Sequence, residues 1–233
     1  LKADGSIAAW WDASYWWSWA PVDSWYISVN WNWRAFAALK ADWSITAWWD
    51  VAQWWVWAPV DSWYTSIYSN HSTFLAIKAD WSLVTWWDNS YWWTWEPVDS
   101  WYITIKPSQQ AYAAMKADWS ITAWWNAAQW WVWAPVDSWY TSISSNFWAF
   151  AAMKADWSIT AWWNSLYWWT WAPVDSWYTS ITSNAGAFAA LKADWSITVW
   201  WESDRWWNPA QAPVDTWYTK IYSNHEAFAA IKA

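Results

Sequence analysis

Short apolar runs, each closed by a turn signal, recur along the whole chain. Residues 35–40 (Ala-Phe-Ala-Ala-Leu-Lys) form one run, which is too short for a helix and is followed by Asp42 and Trp43. Residues 44–48 (Ser-Ile-Thr-Ala-Trp) form a second run, and residues 64–68 form a third that is rich in β-branched and aromatic residues. This pattern predicts three short strands per unit, the first two joined as a hairpin, and no helix.

The units repeat with a fixed period. The signature Lys-Ala-Asp begins at residues 2, 40, 78, 116, 154 and 192, a spacing of 38 residues each time. Lys232-Ala233 follows after 40 residues, because the sixth unit carries an insertion around Pro209. Periods of this length are typical of solenoids and propellers. We therefore predict an all-β fold, a β-propeller of six 38-residue repeats with about three short antiparallel strands per blade.

The repeat also suggests how the array begins and ends. Residues 1–3 and residues 231–233 occupy the same point of the repeat, so residues 1–233 are expected to form a single repeat domain that is a fragment of a longer chain. Residues 227–233 could supply the strand missing before residues 6–10, which would close six blades. The alternative is an open arc of a longer array.

Composition changes how this pattern is interpreted, because the chain holds 43 tryptophans and two glycines. Both glycines stand in repeat-aligned columns that otherwise contain tryptophan. Gly186 aligns with Trp148. Gly5 aligns with a tryptophan in each of the five remaining units: Trp43, Trp81, Trp119, Trp157 and Trp195. Six tryptophans open a Trp-Trp pair at a constant position and are expected to be genuine: Trp10, Trp48, Trp86, Trp124, Trp162 and Trp200.

The other 37 tryptophans lie in turn-like contexts, where glycine reaches positive φ without steric cost. We interpret most of them as mistranslated glycines, from a bacterial lineage that reads the UGA codon as glycine. Asp42-Trp43 then becomes Asp-Gly, which predicts a type I′ turn with positive φ at both central residues. The alternative is a genuine aromatic surface for sugars, in which Gly5 and Gly186 have no place.

With the glycines restored, residues 86–95 become Trp-Gly-Asp-Asn-Ser-Tyr-Gly-Gly-Thr-Gly. This resembles the Trp-Gly-x-Asn-x-x-Gly-Gln-Leu-Gly stretch of the regulator of chromosome condensation (RCC1) repeat, and residues 190–201 resemble that family's Ala-Leu-x-x-Asp-Gly-x-Val-x-x-Trp-Gly. The resemblance covers every unit and implies a β-propeller, usually of seven blades. The short units are most similar to the bacterial branch that includes the propeller-type β-lactamase inhibitor protein.

The chain departs from the family at the junction before the Ala-Leu run. The family's histidine is replaced by alanine or threonine, as at Ala35 and Thr73, and its glycine by asparagine in five junctions. Since asparagine tolerates left-handed backbone next best after glycine, the turn is expected to persist. The eukaryotic protein after which the family is named contacts a nuclear partner through residues that this chain does not match. The resemblance therefore does not imply exchange-factor activity for this chain.

Charge and chemistry narrow the function. The formal net charge is −8, without a cluster of basic residues, which argues against nucleic acid and anionic membranes as partners. No apolar run is long enough to span a bilayer. No catalytic constellation, metal site or cofactor is expected, because His71 and His225 share one column without a recurring partner. The aspartate columns that begin at Asp12 and Asp23 are expected to cap turns rather than to bind calcium.

Binding sites on a repeat scaffold arise where the units differ. In the loop after the second strand the units carry, in order, Tyr15, Gln53, Tyr91, Gln129, Tyr167 and Arg205. We predict that this loop face contacts a protein or glycan partner, the alternative being that these residues have drifted. The expected function is a non-enzymatic binding or structural module of a large bacterial protein, secreted or on the cell surface. The alternative is a propeller-scaffold hydrolase or lyase with an unrecognised site.

Overall fold

A computed structural model describes residues 1–9, 21–49, 58–87, 97–125, 134–165, 172–201 and 212–233. The chain divides into two compact units, one of residues 1–102 with 126–128 and the other of residues 103–125 with 129–233. The described residues form β-strands joined by turns and contain no helix. The predicted all-β class is confirmed.

The strands follow one another at regular intervals. In the first unit they are β1 (Tyr26–Trp31), β2 (Ala35–Lys40), β3 (Ile45–Trp49), β4 (Tyr64–Ser69), β5 (Thr73–Lys78) and β6 (Leu83–Trp87). From the unit boundary onward they are β7 (Tyr102–Pro107), β8 (Ala111–Lys116), β9 (Ile121–Trp125), β10 (Tyr140–Ser145), β11 (Ala149–Lys154), β12 (Ile159–Trp163), β13 (Tyr178–Ser183), β14 (Ala187–Lys192), β15 (Ile197–Trp201), β16 (Tyr218–Ser223) and β17 (Phe228–Lys232).

Consecutive strands form separate small sheets, one per repeat. Five sheets have three strands in the order first, second, third, as in β1-β2-β3, and the sixth consists of β16 and β17. In the described residues the strands pair antiparallel, and equivalent sheets share one register, in which Leu39 faces Ile45 and Leu191 faces Ile197. The prediction of about three strands per blade is therefore confirmed. The run that follows each long loop, such as β4, opens the next sheet.

The hairpin between the second and third strands has a three-residue loop. The Lys40 N–H donates to the Ser44 carbonyl at 2.9 Å, and the Trp43 N–H donates to the Lys40 carbonyl at 3.0 Å. Trp43 has φ 66°, whereas Asp42 is not among the residues with positive φ. The predicted type I′ turn is therefore wrong. A three-residue loop needs left-handed backbone at its last residue alone, and Asp42 stabilises it by accepting the Ser44 N–H at 3.0 Å.

Within each compact unit the core lies between successive sheets. In the second unit Ala149, Ala151 and Ile159 of one sheet pack against the next sheet's Tyr178, Phe188, Ala190 and Trp200. The third-strand tryptophans that are expected to be genuine are at most 2% exposed; they are Trp48, Trp86, Trp124, Trp162 and Trp200. Each of these indoles stacks on an aromatic ring of the neighbouring second strand, as Trp162 does on Phe150 at 5.4 Å. Trp10 lies outside the described residues.

Two predictions about the whole array stay predictions. In the part of the chain that the structure describes, β17 pairs with β16 alone, and residues 1–9 contain no strand. Closure through the two ends of the chain is thus not observed in the described residues. The closed ring and the open arc both stay predictions. The assignment of residues 1–233 to a single domain also stays a prediction.

Candidate functional site

The residues predicted to form the loop face all lie outside the described residues. They are Tyr15, Gln53, Tyr91, Gln129, Tyr167 and Arg205. The aspartate column that begins at Asp12, Asp50 and Asp88 also falls in residues that are not described or, at Asn164, is continued by asparagine. The described chain contains a second set of variable residues, in the turns between the first and second strands.

An asparagine shapes most of these turns. The Asn184 Oδ1 accepts the backbone N–H of Gly186 at 3.0 Å and that of Ala187 at 2.8 Å. The backbone closes the same turn, because the Asn184 N–H donates to the Ala187 carbonyl at 3.0 Å. The asparagines at this position do not have positive φ. The turn persists as expected, but the reason given from sequence is wrong, since the side-chain cap and not left-handed backbone holds it.

The cap leaves two residues per turn free to vary. Going along the chain the pairs are Trp33-Arg34, His71-Ser72, Gln109-Gln110, Phe147-Trp148, Ala185-Gly186 and His225-Glu226. No two pairs are alike, whereas the strands on either side keep nearly the same sequence from one unit to the next. Four of these pairs, residues 109–110, 147–148, 185–186 and 225–226, belong to the second compact unit of the chain. They are here called the tip surface.

The turns of the tip surface contact one another across successive sheets. The Gln109 N–H donates to the Phe147 carbonyl at 3.1 Å, and the Ala185 N–H donates to the His225 carbonyl at 3.2 Å. The Phe147 and His225 rings meet edge to face, with centroids 5.4 Å apart, although a complete sheet lies between them in the sequence. The first strands are joined below the tips, since the Ser183 hydroxyl donates to the Ser145 carbonyl at 2.7 Å. The tip surface is therefore continuous.

Polar and aromatic groups are both exposed on this surface. Phe147 is 37% exposed, and the His225 and Glu226 side chains are 61% and 87% exposed. Ala185 and Gly186, between them in sequence, are buried. The surface thus presents one aromatic ring, one imidazole and one carboxylate around a small-residue turn.

The first unit has its own pair of neighbouring tips. The Trp33 and His71 rings lie 4.9 Å apart. Burial, together with the positive charge of Arg34, lowers the pKa of His71, so this imidazole is neutral at pH 7.

The opposite end of the strands, beside the hairpin between the second and third strands, carries the same cluster in five of the six sheets. The Tyr26 hydroxyl donates to the Asp23 Oδ1 at 2.6 Å, Lys40 forms an ion pair with the Asp23 Oδ2, and the Lys40 Nζ lies 5.3 Å from the centre of the Tyr26 ring. Hydrogen bonds from Lys40 and Tyr26 lower the pKa of Asp23, and burial raises that of Tyr26. Asp23 was predicted to cap a turn; instead it joins the end of the long loop to the hairpin.

A shallow cleft lies at the same end of the strands in several repeats. One example is lined by Asp61, Trp63, Lys78 and Asp80. Two nearby carboxylates can serve acid–base catalysis, but Asp61 here is bound by Lys78 and Tyr64, and Asp80 accepts the N–H and hydroxyl of Ser82. Both therefore act as structural groups of the blade. Among the described residues no three histidine, aspartate or glutamate side chains gather as a metal site would require.

Sequence reasoning looked for variation in the long loops and missed it in the tips. The signal was present, because no two repeats carry the same pair of residues after the junction asparagine or its equivalent Ser108. What the sequence did not show is that these short turns touch one another, which depends on how successive sheets pack.

Comparisons with known proteins bear on the fold. No family model matches the chain, and no curated protein matches it. The chain is similar in structure to the CRINKLY WD40 ectodomain of the Arabidopsis thaliana receptor kinase ACR4, with 14% identity and a TM-score of 0.54 over 82% of this chain and 67% of that one. It is also similar to the ectodomain of the Physcomitrella patens receptor kinase CR4, with 11% identity and a TM-score of 0.54 over 89% of this chain and 58% of that one.

Yeast RCC1 (Prp20), solved with Kap60, is a further structural match, with 9% identity and a TM-score of 0.46 over 72% of this chain and 54% of that one. The two receptor-kinase ectodomain matches and the repeated three-strand sheets show a propeller-like repeat fold, which fits RCC1-like repeats. The RCC1-like resemblance drawn from the tryptophan-glycine signature is confirmed at this level. The similarity to the bacterial β-lactamase-inhibitor branch stays a prediction. No helix in the described residues is long and apolar enough to cross a membrane.

Proposed function

We propose that this chain is a non-enzymatic binding module that presents its tip surface to a protein partner. The observation that carries the proposal is the contrast between constant strands and a continuous set of turns that differ in every unit. A repeat that served packing alone would have no need of different residues at each tip. Exposed Phe147 beside His225 and Glu226 provides the mixture of aromatic and polar groups that is common at protein interfaces.

The loop face predicted from sequence extends this proposal. Ala149 pairs with Trp163 and Ala187 pairs with Trp201, so the third strands end at the edge of the sheet that carries the tips. The loops with Gln129, Tyr167 and Arg205 follow third strands in the sequence. We therefore propose that the partner binds at this end of the blades and that the loop residues predicted from sequence contribute to the contact.

The setting of the module is proposed as a large bacterial secreted or surface protein. An acidic array of short repeats suits an extended scaffold outside the cell, and a glycan is the alternative partner. A hydrolase or lyase activity is the alternative function, and the engaged state of Asp61 and Asp80 argues against those two carboxylates as its catalytic pair.

The proposal is tested by selecting a phage-displayed random peptide library on the folded chain, with a glycan array probed in parallel. We expect selected peptides that lose binding when Phe147→Ala and His225→Ala are combined, and that keep it in the control Val136→Ala with Val174→Ala. These valines are fully exposed and belong to the opposite edge of the sheets. Peptides indifferent to the tip substitutions would contradict a tip site, and tip-dependent signals on the array alone would favour the glycan.

We also propose that the natural protein has glycine at most of the tryptophan positions outside the third-strand column. The support is conformational, since in the described residues every non-glycine residue with positive φ is a tryptophan. The test is the intact mass of the protein from its own organism, or its coding DNA read for UGA. A mass that matches 43 tryptophans would reject the proposal.

A further inference from the structure

The end of the strands beside the hairpin carries a constant apolar side chain. Each long loop ends in the sequence Pro-Val-Asp, immediately before the first strand of a sheet. The valine is fully exposed in all six repeats: Val22, Val60, Val98, Val136, Val174 and Val214. A single exposed valine is ordinary on a protein surface. Six valines at one position, where packing does not require them, indicate a surface with a role of its own.

An exposed carboxylate lies in the hairpin beside these valines. The Asp156 Oδ1 accepts the backbone N–H of Ser158 at 3.0 Å and its hydroxyl at 2.6 Å. These two hydrogen bonds lower the pKa of Asp156, so its carboxylate is ionised at pH 7. Lys154, whose charge also acts on Asp156, forms its ion pair with Asp137 instead. The negative charge of Asp156 is therefore available to a partner.

Backbone hydrogen bonds join these groups into one surface across the second compact unit. Within a sheet, the Ala155 N–H donates to the Trp139 carbonyl at 2.9 Å, which holds the hairpin against the end of the long loop. Between sheets, the Tyr178 N–H donates to the Trp157 carbonyl at 3.0 Å. Carboxylates of hairpins and valines of loop ends therefore follow one another along this end of the strands. We call this row the hairpin-end surface: Asp118, Val136, Asp156, Val174, Asp194 and Val214.

The charge of the hairpin-end surface selects the kind of partner. Each repeat contributes two carboxylates and one lysine, as Asp137, Asp156 and Lys154 show, so one negative charge per repeat is left after the ion pair forms. The tip surface, at the other end of the strands, carries a single carboxylate, that of Glu226. A row in which negative charges alternate with apolar side chains complements basic and apolar groups, and it repels nucleic acids and anionic lipids.

We propose that the hairpin-end surface binds a cationic amphipathic polypeptide segment, in which lysine or arginine recurs among apolar residues. The basic side chains pair with Asp118, Asp156 and Asp194, and the apolar side chains cover the valines between them. Packed sheets lie about 10 Å apart and an extended chain advances about 3.3 Å per residue, so a segment of about six residues spans the three carboxylates. The site uses no tryptophan side chain, and it is separate from the tip surface.

Fluorescence anisotropy with labelled peptides tests this proposal. The probe is a peptide of about eight residues in which lysine and leucine alternate, and two control peptides replace either every leucine with serine or every lysine with glutamate. We expect the serine peptide to bind at least about tenfold more weakly than the probe, because it has no apolar side chains to cover the valines. The glutamate peptide should not bind, and the affinity of the probe should fall as salt is added.

Two sets of substitutions separate the apolar and the charged parts of the site. Val136→Ser with Val174→Ser changes fully exposed side chains, so the fold is kept, and should raise the dissociation constant of the probe about tenfold without affecting the serine peptide. Asp118→Asn, Asp156→Asn and Asp194→Asn together keep the oxygen that caps each hairpin. This triple variant should bind the probe at least about threefold more weakly and with less dependence on salt.

The tip surface provides the matched control. Phe147→Ala with His225→Ala should bind the probe as the parent does, so failure of the hairpin-end site and failure of the tip site are distinguishable. Equal binding of the probe and the serine peptide would show attraction by charge alone and would overturn the proposal. Full binding of the probe to both the valine and the aspartate variants, or its loss in the tip variant, would overturn it as well.

Discussion

The same side chain occupies two opposite environments in this molecule. In the third-strand column Trp48, Trp86, Trp124, Trp162 and Trp200 are buried and stacked on neighbouring rings. In two turn columns, eleven tryptophans have φ between 62° and 78° and are 43% to 73% exposed. Packing selects the first group for size and shape. The second group occupies positions where the backbone sets the requirement and the indole has little to pack against.

Gly5 shows what the turn columns need. It has φ +75°, close to the 62° to 66° of the five tryptophans in its own column. A Cβ built on Gly5 would lie 2.9 Å from the backbone nitrogen of Trp25. The loop therefore constrains the residue both in φ and in space, and glycine is the residue that meets both constraints. This supports glycine as the natural residue throughout the column.

The largest expected effect comes from replacing all eleven exposed tryptophans with glycine. Left-handed backbone costs a residue with Cβ about 1–2 kcal/mol, so the free energy of unfolding should rise by roughly 10–20 kcal/mol. That is comparable to the whole stability of an ordinary domain, about 5–15 kcal/mol. Urea unfolding of both chains, with soluble yield as a second measurement, checks this. Equal stability of the two chains would show that the turn columns tolerate tryptophan.

A single substitution in each group sharpens the contrast. Trp162→Ala removes a buried indole stacked on Phe150 and should lower the free energy of unfolding by about 3–5 kcal/mol. Trp157→Ala, in the hairpin turn that precedes β12, loses only an exposed stack on Trp177 at 5.2 Å and should cost less than about 1.5 kcal/mol. Trp157→Gly should be stabilising relative to Trp157→Ala. Similar losses at both positions would remove the distinction between the groups.

Much of the fold could be predicted because the repeat displays each element six times. The apolar runs predicted the strands, and the constant position of Trp162 and its equivalents set these tryptophans apart from those in the turns. The turn type could not be predicted, since Asp-Gly suits both a two-residue turn and the last two residues of a three-residue loop. The role of Asn184 was missed because a side-chain cap and left-handed backbone favour the same residue type.

The candidate site was harder to predict for a different reason. Phe147 and His225 are 78 positions apart, and their contact depends on how three successive sheets pack. The role of Asp61 likewise depends on Lys78, which comes 17 residues later on another element. Local sequence distinguishes a capping aspartate only when its partner is close, as Ser82 is to Asp80. Residues whose partners are distant were therefore assigned the local role by default.

The smallest expected effect concerns the ion pair that lies beside an exposed turn tryptophan. Trp63 is flanked by the Asp61–Lys78 ion pair, and its carbonyl accepts the Ala79 N–H at 2.8 Å. Hydrogen bonds from Lys78 and Tyr64 lower the pKa of Asp61 below its ordinary value of 3.8. Its stabilising contribution is therefore complete above pH 3.8 and is lost as the pH falls through the lower folded value.

Asp61→Asn should lower the free energy of unfolding by up to about 1 kcal/mol at pH 7, the usual size for a partly exposed pair. The difference from the parent should disappear in acid, because protonated aspartate no longer pairs with Lys78. Asp80→Asn is the matched control, since its Oδ1 still accepts the Ser82 N–H, and urea unfolding at several pH values measures all three chains. A loss at Asp61 that persists unchanged in acid would show that packing around Trp63, and not charge, stabilises this end of the sheet. The exposed tryptophans would then resemble the buried ones in depending on packing.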